Sequence, residues 1–226
     1  MLNRFHIVAA LSIAAVSAAG ATASAAVTTL DQLDHGGSIT EGNATYSNFQ
    51  YPNTGGSGDQ ALDSTVTVAT STAANGEMDI TFGRTSGQVW TNGQQSVITY
   101  DVTFAQPVPI VALNFIANGS GGAAFVGETI VNLEDSNPNT NSFTLPDGQG
   151  GSGLFDNGGN GSVDSILTQL PWTTSHIQVT KSIDTVGSAT ITSVTNGYVP
   201  VPEPASLGIL SAAGFGLLAR RRRTAR

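Results

Sequence analysis

The chain has no cysteine anywhere in its 226 residues, so disulfides, thiolate nucleophiles and cysteine-bound metals play no part in it. Basic residues are nearly as scarce where a folded domain would lie. Arg4 sits near the start, and Arg220, Arg221, Arg222, Arg223 and Arg226 sit at the end, which leaves only Arg84 and Lys181 for residues 27–199. The same stretch holds fifteen acidic residues, a net charge of −13. A surface that acidic repels phosphate backbones and anionic membranes, which argues against a nucleic-acid partner. It suits solubility and divalent cations. Beyond the first 26 residues only His35 and His176 remain as histidines. No metalloprotease helix motif, Walker loop, dinucleotide fingerprint or G-x-S-x-G elbow occurs, and no repeat of fixed period suggests a solenoid or propeller.

What is present begins with a secretory signal over residues 1–26. Arg4 opens it, an apolar, alanine-rich run over 7–19 follows, and small residues close it at Ala23, Ser24, Ala25 and Ala26. Cleavage is expected before Ala26 or before Val27. No twin arginine is present, so the general secretion route is expected.

The other end is more specific. Pro202-Glu203-Pro204 is followed by an apolar stretch over 207–219 and then by Arg220, Arg221, Arg222 and Arg223. Thirteen residues as a helix span about 20 Å, against a hydrocarbon core of about 30 Å. Gly208, Gly214 and Gly216 weaken the segment further as a permanent anchor, and the arginines favour the cytoplasmic side. The two prolines keep the segment before the apolar stretch extended and accessible. In order and spacing this tail resembles a PEP-CTERM sorting signal. The resemblance implies transient inner-membrane insertion by a hydrophobic sorting helix, recognition by an exosortase-type processing enzyme, and release to the outer envelope or extracellular space. It also implies a setting rich in exopolysaccharide.

Between the ends, residues 27–198 form one expected domain, with 199–226 as the sorting segment. Thr, Ser, Gly, Asn and Val dominate the interior, and several runs alternate as half-buried strands do. Val66 and Val68 alternate with threonines; so do Met78, Ile80 and Phe82 with polar residues. The cleanest case is Ile98, Tyr100, Val102 and Phe104, and Ile177 with Val179 and Ala189 with Ile191 continue the theme. Residues 109–117 read as a central strand apolar on both faces, and 124–133 as a further strand. Turn signals stand at Asn75-Gly76, Asn92-Gly93, Asn118-Gly119, Asp147-Gly148 and Asn196-Gly197. Eight to ten strands at this spacing predict an all-β fold, an antiparallel β-sandwich of jelly-roll-like topology. A short helix is expected over 163–170, ended by Pro171, and long loops over 51–60 and 137–161.

Candidate chemistry in this interior is sparse. Just after Glu134, the residues Asp135, Asn137, Asn139 and Asn141 offer hard oxygens at alternate positions, the spacing of the first half of a calcium loop. Thr140 and Pro146 stand where that loop needs glycine and a bidentate glutamate, so calcium is a possible cofactor and no other is expected. Asp147, Asp156, Asn157 and Asn160 form a second, weaker oxygen-rich stretch. Trp90 and Trp172, each flanked by polar residues, could stack on sugar rings if exposed. Glycoside hydrolysis needs two facing carboxyls, and Glu41, Glu77, Glu128 and Glu134 are the only glutamates of the interior. No catalytic residues are assigned. The expected function is a non-enzymatic structural or adhesive role in the envelope or matrix, with a carbohydrate-binding module as the alternative and a secreted hydrolase behind it.

Overall fold

The computed structural model describes residues 27–51, 65–73, 75–85, 88–91, 93–118, 122–137, 140–145, 154–156 and 163–200. The expected signal helix with Ala25 and Ala26, and the sorting helix with Pro202, Glu203, Pro204 and the four arginines, lie outside the described residues. No helix among the described residues is long and apolar enough to cross a membrane.

The described chain is mostly antiparallel β-sheet. Its elements are β1 (Val27–Thr29), α1 (Leu30–Asp34), β2 (Ile39–Glu41), β3 (Ala44–Gln50), β4 (Val66–Thr72), β5 (Met78–Arg84) and β6 (Trp90–Thr91). They continue as β7 (Gln95–Asn118), β8 (Gly122–Asn132), β9 (Ser142–Thr144), β10 (Leu154–Asp156), β11 (Val163–Gly187) and β12 (Thr190–Val199). Hydrogen bonding orders them β1-β4-β5-β12-β7-β11-β8-β10, with β3 also on β7, β2 on β3, β6 on β12 and β9 on β8.

β7 and β11 are long because each serves two sets of neighbours. The first half of β7 pairs with β3, through Ala44 opposite Phe104, and its second half pairs with β12, through Tyr198 opposite Val111. β11 follows β7 throughout, and its later half also pairs with β8. The β7–β11 register breaks between Gln169 and Thr174 and again between Thr174 and His176. Pro171 lies in the extra residues on one strand and Pro107 in those on the other. Neither has an N–H to give to the ladder, so pairing is interrupted where the prolines sit.

The core lies between these two sets. Tyr100 and Tyr198 share a hydrogen bond of 2.9 Å through their hydroxyls, the Tyr46 and Tyr198 ring centroids are 6.2 Å apart, and Phe82 and Tyr100 are 5.5 Å apart. The alternating runs supply the lining: Val66, Val68, Ile80, Phe82, Ile98, Val102, Ile177, Val179 and Ile191 are all fully buried. Burial contributes about 1.5–3 kcal/mol for each large apolar side chain taken out of water.

Four local expectations are corrected. Residues 163–170 are strand, paired from Val163 opposite Ile116 to Gln169 opposite Ile110. Ile166, Leu167 and Leu170 have a helix-like spacing, but the unpaired edge of β7 demands a partner strand. Residues 109–117 are the second half of β7 rather than a separate strand; they bury both faces only around Val111, Ala112 and Leu113, while Ile116 is exposed. Asn196-Gly197 is not a turn but part of β12. Gly197 is needed there for close approach, since a Cβ would run into the Glu77 carboxylate and the Asp79 Oδ1. By contrast Gly76 and Gly93 do sit at turns, with φ of 83° and 78°. Finally, the expected loop over 137–161 contains β9 and β10, both paired to β8. The expected loop over 51–60 lies, apart from Tyr51, outside the described residues.

Candidate functional site

On the face of β7 and β11 turned away from the core, Asp101 alternates with Tyr100 and Val102, and Gln178 with Ile177 and Val179. A pocket of about 300 Å³ opens above them, lined by Asp34, Gly36, Asn48, Phe49, Gln50, Asp101 and Gln178. It exists because β3 bulges. Its register on β7 shifts between Ser47 and Gln50, and Asn48 takes a φ of 51°, the only positive φ of a non-glycine residue among the described residues. Asparagine tolerates that conformation better than most side chains. The bulge aims Asn48 Nδ2 at Asp101 Oδ2, 2.7 Å away, while Gln178 Nε2 donates to Asp101 Oδ1 at 3.0 Å. A carboxylate fixed between two amides, with no basic side chain among the described lining residues, is a set of donors and acceptors suited to a neutral, hydroxyl-rich ligand. The volume is at the low end for small-molecule sites.

A second polar group lies inside the core. Lys181 is fully buried and donates from Nζ to Glu128 Oε2 at 2.5 Å. Asn196, also fully buried, donates from Nδ2 to Glu128 Oε1 and Oε2 at 2.7 and 2.6 Å. Among the described residues, Asn196 Oδ1 is buried with no hydrogen-bond partner, and so is the Tyr46 hydroxyl. Burial pushes the Lys181 ammonium below its usual range, partly offset by the charge of Glu128. Burial likewise raises Tyr46, Tyr100 and Tyr198 well above the ordinary phenol range, with neighbouring carboxylates adding to it. The sequence held a signal for this cluster that its reading missed. Lys181 falls in the inward phase of Ile177, Val179 and Ile183, and Glu128 in that of Val126 and Ile130.

The expected site residues are distributed otherwise. Trp90 is no sugar platform: it is fully buried, and its Nε1 donates to Ser96 Oγ at 3.0 Å, an oxygen also bonded to the Tyr51 hydroxyl at 2.7 Å. Trp172 is partly buried against the core and donates from Nε1 to the Thr140 carbonyl at 3.2 Å.

In the candidate calcium loop, Asp135 Oδ1 accepts from the Asn137 N–H at 2.9 Å and Oδ2 from the Thr140 hydroxyl at 2.9 Å, while the Asn141 amide donates to the Asp135 carbonyl at 3.1 Å. Glu134 turns aside to the hydroxyls of Thr174 and Ser175. Those bonds hold both carboxyls below their usual range. Both carboxylates are thus engaged with the loop and with β11, and among the described residues no group of three or more acidic or histidine side chains gathers for a metal. Asn139 lies outside the described residues, as do Asp147, Asn157 and Asn160; Asp156 belongs to β10.

The glutamates are dispersed among different partners. Glu41 accepts from Thr72 at 3.0 Å, and Glu77 from Asn75 at 3.3 Å. His35 is exposed, its Nδ1 lying 2.7 Å from the Asp31 carbonyl.

With this geometry in hand, comparison with known proteins assigns one segment. Residues 200–223, directly after β12, match the PEP-CTERM protein-sorting motif. That motif marks an exported chain processed by an exosortase on its way to the cell surface. No curated protein is similar to the chain in sequence. Among solved structures, the enzymatically active domain of bacteriophage CBA120 tailspike protein 4 shares 16% identity over 70% of this chain and 19% of that one, with a TM-score of 0.25. The chain therefore spans about a fifth of the tailspike's length. TmCBM61 in complex with β-1,4-galactotriose shares 10% identity over 53% of this chain and 69% of that one, with a TM-score of 0.26. Likeness at those scores carries no conclusion about fold or ligand.

Proposed function

We propose that the protein is a non-enzymatic structural or adhesive component of the cell envelope or extracellular matrix, associated with exopolysaccharide. In this reading residues 1–26 are removed on export, and the tail halts transiently in the inner membrane until an exosortase removes it. The released domain, 27–198, acts as an antiparallel β-sandwich of jelly-roll-like kind. The observation that carries the proposal is the sorting motif at 200–223 immediately behind the last strand. Its neutral-ligand pocket around Asp101 favours a second reading, a carbohydrate-binding module in its own right.

Deleting residues 202–226 tests the main proposal in the native cells. The expected outcome is a protein lost to the medium or left unprocessed, no longer co-purifying with surface polysaccharide. Unchanged location and unchanged association would overturn it. Retained polysaccharide binding by the released domain would instead favour the binding-module reading.

A further inference from the structure

Lys181, Glu128 and Asn196 come from three different strands and meet in the aromatic centre of the core. Lys181 stands directly opposite Glu128 in the β8–β11 ladder, whereas Asn196 reaches them from β12, which pairs with β5 and the second half of β7. Lys181 Nζ and Asn196 Nδ2 lie on the same oxygen, Glu128 Oε2, at 2.5 and 2.6 Å. As a plain ion pair this arrangement is poor. It removes two charges from water, and leaves the amide oxygen of Asn196 buried without a donor among the described residues.

We propose that these three residues form an intramolecular amide cross-link, with Lys181 Nζ bonded to Asn196 Cγ and Glu128 relaying the protons. The buried ion pair first passes a proton from Nζ to the Glu128 carboxylate, which leaves a neutral amine. Burial of Lys181 favours that form. The amine lone pair attacks Asn196 Cγ while the Glu128 acid protonates Nδ2, the atom that faces it. A proton then moves from Nζ back to Glu128. The Cγ–Nδ2 bond breaks, the carbonyl re-forms and ammonia leaves. Overall the Nζ–Cγ bond replaces the Cγ–Nδ2 bond, and the lysine's extra proton remains on Glu128. Both buried charges disappear, and the once orphaned oxygen gains the Glu128 O–H as donor. For a cysteine-free chain outside the cell, such a bond would tie β11 to β12 across the core, a role disulfides fill in other exported domains.

The test is mass spectrometry of the denatured wild-type protein. The expected mass is lower than that of the same polypeptide by one ammonia, about 17 Da. Arg84 is the only other basic residue between Arg4 and Arg220, so a tryptic map is simple to read. Trypsin is expected to leave the Lys181 bond uncut, with Lys181 joined to Asn196 in one fragment. Lys181→Met and Glu128→Gln, checked for folding by circular dichroism, are each expected at full mass. A wild-type protein of full mass that is cut after Lys181 would overturn the proposal. So would an ammonia loss that leaves Lys181 cleavable and takes up water in mild base, because that marks a succinimide at an Asn-Gly pair. Cross-linking undiminished in Glu128→Gln would remove Glu128 from the chemistry.

Discussion

Asp79 stands half-buried on β5 beside Glu77, and burial, with the neighbouring negative charge second, raises its carboxyl to about 6. The Ser71 hydroxyl at 3.4 Å offsets this only in part. A folded-state value above the unfolded one means the folded chain holds that proton more tightly. Its stabilising effect is therefore complete below about pH 4 and is lost as the pH rises to about 6. Asp79→Asn is accordingly expected to raise the melting temperature at pH 7.5 and to change it little at pH 4. A gain of equal size at both pH values would assign the effect to packing instead. Glu134, held low by the Ser175 and Thr174 hydroxyls, has the opposite sign, its contribution fading as the pH falls.

Single elements depend on single anchors in places. β6 is two residues long, and Trp90 holds it by filling the core and bonding Ser96. Trp90→Ala is expected to cost about 3–5 kcal/mol in urea unfolding, with Trp172 left as the sole tryptophan to report on it. A cost under about 1 kcal/mol would mean that β6 is held by its backbone alone. Strands whose side chains alternate strictly, such as β4, β5 and the first half of β7, could be read from the sequence because burial on one face imposes a period of two. β1, β2 and β3 escaped, being short or interrupted by a bulge. Residues 163–170 escaped for a different reason: a spacing that suits a helix was overruled by the edge of β7. The tail motif was fully legible, since its recognition depends on residue order alone. The pocket was not, because it joins strands far apart in the chain; the Lys181 cluster was legible only in part, since strand phase turns Lys181 and Glu128 inward but only the register brings them to Asn196.

At the scale of the whole molecule, β12 lies in the middle of the sheet, between β5 and β7, yet comes last in the chain among the described strands. A version ending at Gly187 leaves both neighbours without a partner along their inner edges and removes the buried Ile191, Val194 and Tyr198. It is expected to be unfolded by circular dichroism and rapidly degraded by protease. A version ending at Pro200 is expected to retain the native fold. Cooperative melting of the shorter chain would show that the sheet closes without β12.

This late central strand also bears on the timing of export. A chain delivered amino-terminus first cannot close its sheet until Val199 has emerged, so it remains threadable for nearly its whole passage. Folding then coincides with arrival of the sorting motif matched at 200–223, which begins one residue later. Completion of the domain and emergence of the sorting motif are thus set by the same stretch of chain.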